Sequence, residues 1–207
     1  MSEDDMSLIT TSQLPKKSPL TGETSFDVPG VARLSDLTPS LGVLHLRGPQ
    51  AEAAIAQFGA GKPDESPLAI GDARPADEGM LCRLAADEYL LLVESPHESA
   101  AAWRHLEEAA AGHGVTVSDL THGYGKLQLS GRRAAALLPR LCGLDFSERG
   151  FPDRRVAQTS LAKVHATLVR MDRQGESPRY YLLVDRSLSE YVWEVIVAVM
   201  QAFKAES

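Results

Sequence analysis

One stretch of this chain occurs twice, 83 residues apart, and any fold must accommodate both copies. Leu34-Ser35-Asp36-Leu37-Thr38 through Leu44-His45-Leu46-Arg47-Gly48 reappears as Val117-Ser118-Asp119-Leu120-Thr121 through Leu127-Gln128-Leu129-Ser130-Gly131. Ser-Asp-Leu-Thr, a following glycine, an alternating apolar run and a closing glycine keep one spacing without a gap, the mark of a duplicated structural unit. After the first copy Ala51, Ala54, Ile55 and Phe58 match Ala134, Leu137, Leu138 and Leu141 after the second. Both sets have the i, i+3, i+4, i+7 spacing of one helix face. Further on, Leu90 to Val93 followed by Trp103 answers Tyr180 to Leu183 followed by Trp193, now at a spacing of 90, so a few residues are inserted in the second copy.

The alternation over Gly42–Arg47 predicts a strand, with a helix from Pro49 to Gly59 after it. A proline-rich loop over 59–76 leads to strands at Met80–Leu84 and Tyr89–Glu94 around the turn Ala85-Ala86-Asp87-Glu88. Ser95-Pro96-His97-Glu98 reads as a capping box opening a helix that ends at Gly112. The second copy predicts a strand Gly125–Ser130, a helix Arg132–Leu141, strand structure near Ser160–Met171 and Arg179–Val184, and a helix from Ser187 to Phe203. Each unit thus reads β-α-β-β-α, and the fold class is α+β with two pseudo-repeats and mainly antiparallel sheets. The expected organisation is a flexible arm over 1–28, with little periodicity and several prolines, and one compact domain over 29–207 made of repeats 29–114 and 115–207.

At 207 residues, 43% apolar and 24% charged, the chain has the composition of a soluble, packed protein. Cys82 and Cys142 are far apart and form no CxxC motif, so neither a disulfide framework nor a metal site is indicated, and a cytoplasmic setting is expected. The most apolar segment, Tyr191–Phe203, is interrupted by Trp193, Glu194 and Gln201, which argues against a membrane span. The net charge of -7 divides into 8 basic and 18 acidic residues over 1–118 and 13 basic and 10 acidic over 119–207. Such polarity suits a partner subunit better than nucleic acid.

Catalytic motifs fail one by one. Gly59-Ala60-Gly61-Lys62 leads into Pro63, and Gly123-Tyr124-Gly125-Lys126 opens a strand, so neither has the Ser/Thr and helix of a phosphate loop. The six histidines form no HExxH and no close pair with a cysteine. No GxSxG elbow is present, and Cys142 ends a helix, without the basic or helix-N-terminal setting that activates a thiol. Among Arg132-Arg133, Arg140, Arg149 and Arg154-Arg155 aromatics that could stack bases are sparse, which suits a solvated or docking face. Asp119 and His122 are spaced for a proton-transfer pair, yet Asp36 repeats Asp119 while Pro39 stands where His122 does. Turn capping by both aspartates is the better reading.

Other residues carry a family resemblance. Asp119-Leu120-Thr121-His122-Gly123, Leu141-Cys142-Gly143-Leu144-Asp145-Phe146, Phe151-Pro152, Ala157-Gln158-Thr159-Ser160-Leu161-Ala162, Val184-Asp185-Arg186-Ser187 and Trp193 resemble the gamma subunit of heterotetrameric sarcosine oxidase. Leu46-Arg47-Gly48 and Ala86-Asp87-Glu88-Tyr89-Leu90-Leu91 are similar to that family too, with Tyr89 where it usually has Trp.

The resemblance implies a fold like the folate-binding aminomethyltransferase of the glycine-cleavage system. It implies membership of a complex that demethylates sarcosine to glycine, makes hydrogen peroxide and passes the one-carbon unit to tetrahydrofolate. FAD, FMN, NAD and tetrahydrofolate would belong to partner subunits, with this chain binding the alpha subunit directly and joining beta and delta. No catalytic or metal residue is implied here; Asp119, His122 and Asp145 are the candidates for a relic folate pocket. In the aminomethyltransferase the acid matching Asp145 follows Asn, whereas here it follows Leu144. A freestanding folate-binding transferase or iron–sulfur repair protein is the alternative, although the Lys-Gly-Cys-Tyr signature of the repair proteins is absent from this sequence.

Overall fold

The computed structural model describes residues 17–58, 67–94 and 96–206. In chain order the strands are β1 (Ser25–Val28), β2 (Ala32–Asp36), β3 (Gly42–Arg47), β4 (Ala73–Ala76), β5 (Gly79–Ala85), β6 (Glu88–Val93), β7 (Thr116–Asp119), β8 (Tyr124–Ser130), β9 (Arg155–Leu161), β10 (Val164–Arg170) and β11 (Arg179–Asp185). The α-helices are α1 (Ala51–Phe58), α2 (Pro96–Ala110), α3 (Ala134–Leu137) and α4 (Ser189–Ala205). The strands form two antiparallel sheets, ordered β1-β2-β8-β11-β10-β9 and β4-β5-β6-β3-β7.

The sequence repeat is visible in that order, with one exchange. The first repeat contributes β2 to the second repeat's sheet, and the second contributes β7 to the first's. Asp36 pairs opposite Leu127, and Asp119 opposite Leu44. Each sheet is therefore completed by a strand from the other half, which ties the repeats into one unit.

Three apolar layers hold the stack. Val43, Cys82, Leu90 and Leu92 of one sheet meet Val156, Val169, Tyr181 and Leu183 of the other. The outer face of the β3 sheet packs Leu44, Leu46, Tyr89 and Leu91 on Ile55, Ala102 and Leu106 of α1 and α2. The outer face of the β8 sheet packs Leu127, Leu129, Tyr180 and Leu182 on Val192, Trp193, Ile196 and Met200 of α4. Side chains alternate across a strand, so strands buried on both faces read as continuous apolar runs, as Leu90–Val93 does.

The antiparallel α+β class holds, but among the described residues each unit has two more strands than the sequence indicates. The short strands β2 and β7 lie within the Ser-Asp motif itself, and β4 and β9 are edge strands with broken apolar patterns. The expected helix over 132–141 is four residues of α-helix followed by a 3₁₀ turn at Leu138–Arg140, because Pro139 has no N–H to continue the α ladder. The apolar run over 160–171 folds back at Ala162-Lys163, both with positive φ, to make the β9–β10 hairpin. The stretch read as an arm ends in β1, which pairs with β2. Ser95 of the capping box and Gly59-Ala60-Gly61-Lys62 lie outside the described residues, as do residues 1–16.

The repeat alignment also shifts. Tyr89, Leu91 and Val93 face helices, as do Tyr180, Leu182 and Val184, so Tyr89 answers Tyr180. The spacing of 90 read from sequence matches Leu90 to Tyr180 instead, and a slip of one residue puts a side chain on the wrong face.

Candidate functional site

The Ser-Asp-Leu-Thr copies are turn devices at the crossing between repeats. Asp36 Oδ1 accepts the Thr38 N–H at 2.8 Å, and Asp119 Oδ1 accepts the Thr121 N–H at 2.8 Å. Each turn presents its threonine hydroxyl to the other half. Thr38 Oγ1 accepts the Lys126 N–H at 3.0 Å, and Thr121 Oγ1 accepts the Val43 N–H at 2.9 Å. Both threonines are buried. Buried backbone donors need partners, so these contacts explain why the threonine recurs. The repeats differ at Lys126, which replaces an apolar Val43; it is buried and its Nζ donates to the Thr121 carbonyl at 2.8 Å.

Asp145 sits in a different setting. It is exposed, and its Oδ1 accepts the Ser147 N–H at 2.9 Å, which holds its carboxyl below the ordinary carboxylate range. The loop it opens packs Phe146 and Phe151 on Tyr180, with ring centroids 5.8 and 6.5 Å away. Arg170 clamps the loop from beneath. Its Nη1 donates to the Phe151 carbonyl at 2.9 Å, while Nη2 donates to Glu148 at 2.6 Å and to Asp172 at 2.8 Å. The guanidinium lies 5.8 Å from the Tyr180 ring centroid. Burial pushes the Tyr180 hydroxyl up to about 12, so it stays protonated.

This clamp is itself duplicated. Arg83 lies 5.2 Å from the Tyr89 ring centroid and donates Nη1 to the Leu68 carbonyl at 2.8 Å. In each sheet the arginine stands directly opposite its tyrosine, Arg83 to Tyr89 and Arg170 to Tyr180. The clamp is missed in sequence because insertions give its members different spacings from the 83-residue motif; aligning Tyr89 with Tyr180 would have found it.

The three candidates do not come together. Asp119 ends β7 and His122 lies in the turn that leads to β8, whereas Asp145 lies on a loop packed against the outer face of the other sheet. Two open hollows occur elsewhere. One is bounded by Pro19, Asp185, Arg186, Ser187 and Glu190, the other by α2 and the start of β7, and none of the candidates lines either. Asp119 and Asp145 each accept a backbone N–H within their own turn. His45 bonds Glu88 at 2.9 Å on the inter-sheet side. Nearby, burial raises the Tyr124 hydroxyl, with Glu88 and Asp185 adding to it. Among the described residues no group of three or more metal-ligating side chains occurs, and no helix is long and apolar enough to cross a membrane.

The segment before β1 is tied to α4 and to the turn that precedes it. Thr21 Oγ1 donates to Glu190 at 2.7 Å, the Lys17 carbonyl accepts from Arg186, and Leu20 packs against the core.

This architecture matches known proteins. Residues 61–207 match the family described as the GCVT N-terminal domain. The sarcosine oxidase gamma subunit of Corynebacterium sp. strain U-96 is 30% identical over 170 residues, covering 81% of this chain and 78% of that protein. An aminomethyltransferase of Moorella thermoacetica is 25% identical over 167 residues, 76% of this chain but 44% of that protein. A chain of the heterotetrameric sarcosine oxidase from Corynebacterium sp. U-96, in complex with pyrrole 2-carboxylate, superposes with a TM-score of 0.71 at 26% identity, covering 87% of this chain and 89% of that one. The glycine cleavage system aminomethyltransferase T of Bartonella henselae shares the fold, with a TM-score of 0.64 at 21% identity over 79% of this chain and 45% of that one. By sequence and by fold, this chain belongs to the sarcosine oxidase gamma subunit family, built on the GCVT N-terminal domain.

Proposed function

We propose that this chain is the gamma subunit of a heterotetrameric sarcosine oxidase and acts in assembly. In this reading the complex oxidatively demethylates sarcosine to glycine and hydrogen peroxide, with FAD, FMN, NAD and tetrahydrofolate held by its partners. The alpha subunit is the direct neighbour, beta and delta complete the tetramer, and the assembly works in the cytoplasm. One observation carries the noncatalytic role. Asp119 ends a strand of one sheet while Asp145 lies on a loop beside the other, and each spends an oxygen on its own turn. A carboxylate tied to a backbone N–H of its own turn serves as a cap, which supports a structural role over proton transfer.

The purified chain is expected to be colourless and to give no heat on titration with tetrahydrofolate. Micromolar folate binding by the isolated chain would overturn the assembly-only role in favour of a folate-binding transferase-like protein.

A further inference from the structure

The two halves differ at one strand. In the β8 sheet, β1 covers the outer edge of β2, placing Phe26 opposite Leu34 and Val28 opposite Ala32. Val28 is buried and Phe26 packs on the core beside α4. In the repeat alignment β7 takes the place of β2, with Val117 at the Leu34 position and Val115 at that of Ala32. Among the described residues β7 is the last strand of its sheet, and nothing occupies the counterpart of β1. The chain enters β7 directly from α2 through the turn at Gly112–Gly114, so no strand lies between α2 and β7 to take that place.

The vacant position has the shape of a seat. Val115 and Val117, the counterparts of the residues that β1 covers, line an open hollow of about 360 Å³ with Glu107, Ala110 and Ala111. At the corresponding positions α4 carries the larger Val197 and Met200. The rim is acidic through Glu107, and the last turn of α2 holds no basic residue to offset the negative end of its dipole.

We propose that the outer edge of β7 and this hollow receive an extended strand from a partner subunit, with apolar side chains at alternate positions and a Lys or Arg beside them. The strand would complete the ladder as β1 does for β2, its two apolar side chains filling the hollow as Phe26 and Val28 fill theirs. The inference rests on the assembly reading above.

Hydrogen exchange of the full chain, alone and in the complex co-expressed with the alpha, beta and delta subunits, tests it. The β7 amides not bonded to β3 should exchange freely in the isolated chain and slow by about tenfold or more in the complex. Ala111→Arg, at an exposed position, should leave the melting temperature unchanged and weaken association about tenfold or more. A complex that forms with open β7 amides and an indifferent Ala111→Arg variant removes this inference alone. Protection of β7 in a self-associated isolated chain also overturns it, by assigning the seat to a second copy. If no complex forms, the assembly reading fails and this inference falls with it.

Discussion

Thr38 Oγ1 accepts the amide N–H of Lys126 at 3.0 Å, across the boundary between the two repeats, and Thr121 returns the contact to Val43 at 2.9 Å. A motif that looks like a local turn signal is thus a joint between halves. Replacing Thr121 by Val keeps the shape and removes the acceptor, leaving the Val43 N–H buried and unpaired. Thr121→Val should cost about 1–3 kcal/mol in denaturant unfolding, with Thr121→Ser retaining most of the stability. Equal stability of the Val and Ser variants would show that the hydroxyl is not the joint.

A second prediction concerns close packing at the strand starts. A Cβ at Gly125 would overlap Ser189 Oγ, and one at Gly42 would overlap Ser99 Oγ, so both glycines let a helix start press against its sheet. Gly125→Ala should destabilise the fold by about 1–3 kcal/mol through overpacking. Ser189→Gly in the same chain should recover part of that loss, and a lack of coupling between the two changes would refute the contact.

Arg170 is buried while satisfying a carbonyl and two carboxylates. Arg170→Met should destabilise by about 1–3 kcal/mol, chiefly because the Phe151 carbonyl loses its donor, while the accessible Glu148 and Asp172 carboxylates are resolvated. Arg170→Lys should restore little, since an ammonium lacks the planar fork that reaches all three. Limited proteolysis should then cut within the Asp145–Phe151 loop. An uncut loop in a folded Arg170→Met variant would show that the clamp is dispensable.

Acid sensitivity follows from two caps. Asp145 and Asp185 have carboxyls held below their ordinary range by hydrogen bonds from Ser147 and Ser187. A depressed carboxyl contributes its stabilisation in full above the unfolded pKa and loses it as the pH falls through the folded value. The melting temperature should therefore drop as the pH falls below about 4. Asp145→Asn with Asp185→Asn should flatten that drop, and an unchanged profile would place the acid sensitivity elsewhere.

Much of this organisation was legible in the residues. The 83-residue repeat, the strands at Gly42–Arg47 and Gly125–Ser130 and the apolar face of the last helix all appear where spacing places them. Trp193 is buried in the outer core, while Trp103 is only partly so. The exchange of β2 and β7 was not legible, because periodicity reports which face a residue shows and not which strand lies beside it. The Arg83–Tyr89 and Arg170–Tyr180 clamps were hidden by insertions that break a constant offset. For the site, turn capping by Asp119 matched the local chemistry of Ser-Asp-Leu-Thr. The separation of Asp119 from Asp145 depends on tertiary packing and had no sequence signal.

The central claim is that this fold serves an assembly, and native mass spectrometry of the chain co-expressed with alpha, beta and delta subunits tests it most directly. The account predicts one heterotetramer containing a single copy of this chain, with all flavin retained by the other subunits after the complex is dissociated. A chain that stays alone under those conditions, or leaves the dissociated complex carrying flavin or folate, would contradict it.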